Sequence, residues 1–174
     1  MPASRRDWAD GYREQSWSDF EVYQTLSGEG SVPFCHQLHY LQMACEKIAK
    51  AYRFRDTATR EDKLTSSHVA LTSFIESLLS STLVKKDYKG RDAQLTQVRK
   101  DIRNIAREIE KLAPAVDKEQ SPSNAEYPWE SGKHIVIPCQ YSYPNLSSLR
   151  DENGRHFLKL IKEAILKFDK RTIR

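Results

Sequence analysis

The chain has 174 residues, of which 39% are apolar and 30% charged, with a formal charge of +4. This length accommodates one domain with its own core; two domains would each be small. No run nears the roughly 18 apolar residues of a membrane span, and Cys35, Cys45 and Cys139 are odd in number and widely spaced, which argues against a disulfide framework.

A reducing, cytoplasmic compartment fits these features. The first residues, MPASRRDWADGYREQSW, are basic but have no apolar stretch, so no secretory leader is expected. The charge is uneven. Residues 150–174 hold 8 of the 28 Lys/Arg and 4 of the 24 Asp/Glu, and the rest of the chain is balanced. A basic tail of this kind suits a nucleic-acid backbone or an acidic partner, and equally an ordinary helix end whose dipole favours cations.

Five helices are predicted in chain order. The first covers about Ser4 to Leu26 and carries Trp8, Tyr12, Trp17, Phe20 and Tyr23; its start is ambiguous, since Asp7, Asp10, Ser16 or Ser18 could each cap. SGEGS breaks it. The second runs from Pro33 to Arg55, with Leu38, Leu41, Cys45, Ile48 and Tyr52 at steps of three and four. After the polar DTATRED, Ser66 or Ser67 caps a short third helix reaching about Ser81, with His68 near its start. Asp92 to Leu112 is the most regular helix. Its Leu95, Val98, Ile102, Ile105, Ile109 and Leu112 form a heptad seam, suited to the inside of a bundle or to a second subunit. Pro114 ends it.

Residues 114–148 are polar and proline-containing, with one β-branched run, HIVIP. They read as a long connection holding at most a short extended piece, anchored by Tyr127, Trp129, Tyr141 and Tyr143. The last helix begins near Leu149 and reaches about Phe168, with Ser148 and Asp151 resembling a capping box. The expected architecture is a single all-α domain over 1–174, an antiparallel bundle of about five helices with one elaborated connection. A glycine-rich phosphate loop and strand–helix alternation are both missing from the pattern.

Several segments resemble the HEPN (higher eukaryotes and prokaryotes nucleotide-binding) domains. HQLHYLQMACEKIAKAYRF is similar to their second helix and WSDFEVYQTL to the end of their first. SHVALTSFIESLL is similar to a short helix that often starts with histidine, NAEYPWE to a Tyr-Pro segment, and GRHFLKLIKEAI to the last helix. The resemblance covers most of the chain from about Trp17 onward and rests on layout and degenerate motifs. It implies a helical, often dimeric fold. Some members are metal-independent ribonucleases in toxin–antitoxin and antiviral systems; others are non-catalytic partners of nucleotidyltransferases.

Active members carry an arginine, four to six residues, then a histidine. RDENGRH fits, with Arg150, the polar Asp151 and His156. On an unbroken helix Arg150 and His156 would lie about 120° apart, so one face could not hold both, although a site shared across a dimer could. In that reading the RNA 2′-hydroxyl attacks, His156 moves the proton, Arg150 holds the scissile phosphate, Asp151 or Asn153 orients, and Arg155, Lys159 and Lys162 hold flanking phosphates, with no cofactor or metal. The alternative places His156 at the edge of the apolar face and Arg150 in solvent.

Other constellations are weaker. Cys35, His36 and His39, with Cys139 or His134, have no paired Cys-x-x-Cys spacing, so no metal is expected. Arg99, Arg103 and Arg107 step along one helix but are diluted by Asp101, Glu108 and Glu110. Tyr127 or Trp129 could stack a base. The leading expectation is a self-associating helical interaction module acting with a nucleotidyltransferase or nucleic-acid partner. The competing one is a ribonuclease built on Arg150 and His156.

Overall fold

The computed structural model describes residues 3–59, 71–80, 90, 92–114, 116–119 and 122–170. It is mostly helical: α1 (Arg5–Gly28), α2 (Phe34–Arg55), α3 (Leu71–Ser80), α4 (Asp92–Lys111) and α5 (Glu152–Leu166). One antiparallel hairpin, β1 (Trp129–Ser131) and β2 (His134–Val136), lies in the connection between α4 and α5. No described helix is long and apolar enough to cross a membrane.

Ser4 settles the start of α1. Its hydroxyl accepts from the Asp7 N–H while the Asp7 carboxylate accepts from the Ser4 N–H, a complete capping box. Those two bonds hold the Asp7 carboxyl below the usual carboxylate range. Pro33 stands one residue ahead of α2 as its N-cap, where its φ is tolerated and its missing N–H costs nothing. Ser66, Ser67 and His68 lie outside the described residues, and with them the expected cap of the third helix. In the described part, the N–H groups of Leu71 and Thr72 donate to the Glu110 carboxylate of α4 at 2.8 and 3.3 Å, and the Thr72 hydroxyl donates at 2.7 Å. An anion at a helix start complements the dipole there.

α2 is the centre. From Leu41 to Tyr52 nearly every side is covered, with Leu41, Ala44, Cys45, Ile48, Ala49 and Ala51 fully buried. α1 packs along its length, and α3, α4 and α5 close the other sides. Tyr52 joins three elements. Its ring meets Phe74 of α3 and Phe168 beyond α5, each at 5.0 Å between centroids, and its hydroxyl donates to the Ala164 carbonyl of α5. Of the α4 seam, Val98, Ile102, Ile105, Ile109 and Leu112 are buried inside this same core and Leu95 is buried apart from it, so the seam is covered within the chain.

Polar groups enter the α1–α2 interface only in pairs. The Ser16 hydroxyl donates to the Ala44 carbonyl at 2.7 Å, and Lys47 meets the buried Asp19. Lys50 donates to Glu46, which also accepts from Gln42. Glu46 thus accepts two bonds along its own helix, and Lys47 reaches across to α1.

Arg5 of α1 closes the far end of α2. Its guanidinium donates to the carbonyls of Phe54, Thr59, Asp56 and, at 3.4 Å, Arg53. The Arg53 and Phe54 carbonyls are ones a helix end otherwise leaves to water, and Asp56 and Thr59 belong to the turn that follows. Trp8 and Tyr12 stack beside it on Phe54. Replacing Arg5 with alanine is therefore expected to destabilise the fold by about 1–2 kcal/mol, read as a lower urea midpoint at unchanged slope.

Candidate functional site

The segment that carries the Arg-x5-His spacing is not one helix. Pro144–Arg150 is a 3₁₀ helix, Asp151 a break, and α5 starts at Glu152. The expected start near Leu149 with a Ser148–Asp151 box is therefore replaced by a cap at Asp151 alone. Its carboxylate accepts from the N–H groups of Asn153 and Gly154 at 2.8 and 3.1 Å. The two helices meet so closely at this break that a Cβ on Gly154 would sit 2.3 Å from the Leu149 carbonyl oxygen. Only glycine fits there.

This junction sends the four candidate catalytic residues to different neighbours. The Arg150 guanidinium lies 4.6 Å over the Phe34 ring at the start of α2, a cation–π contact. Asp151 is the cap. The Asn153 amide donates to Asp101 of α4 at 3.1 Å. His156 follows Asn153 by three residues on the same side of α5; its Nδ1 is buried and has no hydrogen-bond partner. Among the described residues no hydrogen bond or ion pair joins Arg150 to His156. A histidine that moves protons is ordinarily oriented through its other ring nitrogen, and here that nitrogen meets no acceptor.

Arg155 and Lys159 are exposed and Lys162 half-buried. At spacings of four and three they form one stripe along α5. The α4 arginines divide differently. Arg99 donates to the Leu79 carbonyl at 2.9 Å and Arg103 pairs with Glu76 at 3.4 Å, so both tie α4 to α3, and Arg107 is exposed.

The connection is ordered around Tyr143, which adopts φ of 49°, in the left-handed region uncommon for a bulky residue. Its buried hydroxyl donates to the Asn124 carbonyl at 2.8 Å, and its ring packs against Tyr141 and Phe34. Burial, with Cys35 and Tyr141 nearby, pushes its phenol well above the ordinary tyrosine value. Asn124 in turn accepts the N–H groups of Glu126 and Tyr127 at 2.9 and 2.6 Å. His39 of α2 meets the Glu126 carboxylate at 3.2 Å. The histidine and the tyrosines thus staple the connection to the bundle. Cys35 is buried and Cys139 exposed, both free. Among the described residues no group of three or more His, Cys, Asp or Glu is placed to hold a metal ion.

One cleft in this region gathers Tyr127 and Trp129, the two residues whose rings could stack a base, with prolines that the sequence did not connect to them. Pro114, Lys118, Pro122, Asn124, Tyr127, Pro128, Trp129 and Glu130 line a cavity of about 370 Å³. Its sequence signal is the density of proline and aromatic residues between 114 and 130, which suits anchoring and base stacking alike.

No family model, curated protein or solved structure matches the chain.

Two outcomes test this geometry. Gly154→Ala is expected to cost about 2–3 kcal/mol because Leu149 backbone must move, whereas Asp151→Ala should cost only about 1 kcal/mol for the lost cap; chemical denaturation separates them. The second concerns alkali. The Tyr143 proton is held in the fold at pH values where an unfolded tyrosine, near 10, has released it. The unfolded state then binds fewer protons, so stability falls as pH rises above about 10. Tyr143→Phe is expected to lessen this alkaline loss, measured by denaturation from pH 8 to pH 11.

Proposed function

We propose that this chain is a helical interaction module that binds a nucleic-acid backbone through α5, and that it is not a ribonuclease. The observation that carries the reading is the stripe of Arg155, Lys159 and Lys162, set on a rigid helix and free of any acidic partner among the described residues. Cations spaced along one helix face neutralise successive phosphates, and binding then rises with counterion release. A partner nucleotidyltransferase, implied by the HEPN resemblance, would use another surface of the same bundle.

The ribonuclease reading requires Arg150 and His156 at one phosphate. Arg150 on Phe34, Asp151 as a cap and Asn153 on Asp101 all weigh against it. Self-association also loses its main support, because the α4 seam is enclosed within the monomer.

Titration of a labelled single-stranded RNA at several salt concentrations tests the proposal. Replacing Arg155, Lys159 and Lys162 together with glutamine is expected to weaken binding and to flatten the log–log salt slope by about 2, at roughly 0.7 per lost contact. An unchanged slope would sink it, as would RNA cleavage by the parent chain that His156→Ala abolishes.

A further inference from the structure

The cleft between the end of α4 and the β-hairpin has a chemistry unlike the α5 stripe. Its walls are Pro114, Pro122, Pro128, Tyr127 and Trp129, with Glu130 on the rim. The walls are rigid. Asn124 locks the turn that carries Tyr127, and Tyr143 holds Asn124 through its carbonyl. Trp129 is fixed edge-on by Tyr141, with centroids 5.2 Å apart. The hairpin that follows turns at Gly132, with φ of 61°, and pairs Trp129 with Val136.

Two features of these walls ask for an occupant. Tyr127 is 64% exposed although its backbone is pinned. Neither its hydroxyl nor the Trp129 indole N–H bonds to another described residue. An exposed Tyr127 ring and a half-buried Trp129 ring, whose donors meet no described acceptor, set beside three prolines, match a backbone that offers carbonyls and demands no donors in return. An extended polyproline II segment is such a backbone. It has no internal hydrogen bonds, its carbonyls point outward, and it is stiff enough to bind with little ordering cost.

The charges favour one kind of segment. The Lys118 ammonium turns away into the loop, donating to the carbonyls of Lys111 and Ser123 at 2.8 and 3.1 Å. Glu130 is exposed on the rim. Of the two charged residues that line the cleft, Lys118 is committed to those loop carbonyls and the Glu130 carboxylate has no described partner. A cationic residue beside the prolines would face a partner.

We infer that this cleft binds an extended, proline-containing peptide segment flanked by lysine or arginine. Tyr127 and Trp129 clasp the prolines and donate to their carbonyls, and Glu130 receives the flanking cation. The inference stands apart from RNA binding by α5 and survives its failure.

The probe is a fluorescein-labelled decaproline with two arginines at each end, titrated with the full chain and read by anisotropy. Saturable binding is expected with Kd below about 1 mM, and a glycine–serine counterpart with the same arginines should bind at least ten-fold more weakly. Tyr127→Ala, at a site too exposed to threaten the fold, should weaken binding about ten-fold with helical circular dichroism unchanged, and Tyr127→Phe should weaken it less. Glu130→Lys should reverse the preference, so that a glutamate-flanked decaproline binds better than the arginine-flanked one. Absence of saturation, equal binding of the glycine–serine peptide, or indifference to Tyr127→Ala would each overturn the assignment. So would a labelled RNA that responds to Tyr127→Ala where the peptide does not.

Discussion

Everything in this bundle hangs on α2 being covered on nearly every side from Leu41 to Tyr52. A helix so placed cannot sort its faces into wet and dry, and its polar side chains must find partners within the protein. Gln42, Glu46 and Lys50 do so along the helix, and Lys47 does so through Asp19 of α1. Such pairs add little net stability, because desolvation offsets most of their attraction. Their effect is selective. Sliding α1 by one turn would strand Asp19 without Lys47 and the Ser16 hydroxyl without the Ala44 carbonyl. An unpaired buried charge costs far more than the pair contributes, so one register survives. Arg5 fixes the same register from the other end, since its guanidinium meets the last carbonyls of α2 only when α1 starts where it does.

The helices themselves were legible because their apolar residues recur at steps of three and four. α4 shows this most plainly, with Leu95 to Leu112 marking its buried side residue by residue. Periodicity reports which side is buried and is silent on what buries it. The same seam would serve a dimer or a monomer, and only the positions of α3 and α5 decide between them. Helix ends were less legible for a related reason. Ser4 with Asp7 is a local signal, whereas Glu110 at the start of α3 and Arg5 at the end of α2 act from 38 and more residues away. No local pattern encodes such a cap. The hairpin was partly legible: HIVIP was readable as an extended piece, but its partner WES has no strand character. The two-residue turn Gly132–Lys133, with glycine at the first position as a type II′ turn needs, was the missed clue.

The candidate site shows how sequence spacing misleads at a junction. Arg150 and His156 are close in the chain, and the helical-wheel argument assumes an unbroken helix between them. The break at Asp151 invalidates that geometry. The 3₁₀ helix before it turns Arg150 toward Phe34 of α2, while α5 carries Asn153 toward Asp101 of α4. Asp151 and Gly154 make the break possible, one by capping α5 and the other by letting the Leu149 backbone approach. Asp151, which sequence offers as a support for the histidine, therefore builds the corner, and Asn153, the other such residue, binds Asp101. Arg155, Lys159 and Lys162 lie wholly within α5, where the wheel holds and steps of four and three keep them on one face.

The contrast between the α5 stripe and the proline–aromatic cleft follows from how each is held. A cationic stripe needs no fixed side chains, since phosphates are tracked by charge over several ångströms and long lysine and arginine stems adjust. A cleft that reads a stiff peptide needs immobile walls, because its selectivity lies in shape and in a few donors. The structure divides its order accordingly. Around the cleft a buried asparagine, a strained tyrosine and three rings in edge-on contact are committed to holding a short loop still. Placing Tyr143 in the left-handed region costs on the order of 1–3 kcal/mol, which a loop acting only as a spacer has no reason to sustain. The strain holds Asn124 under its hydroxyl, and Asn124 sets the turn from which Tyr127 projects. That chain of dependence makes the connection between α4 and α5 a built surface, organised toward the ring it exposes.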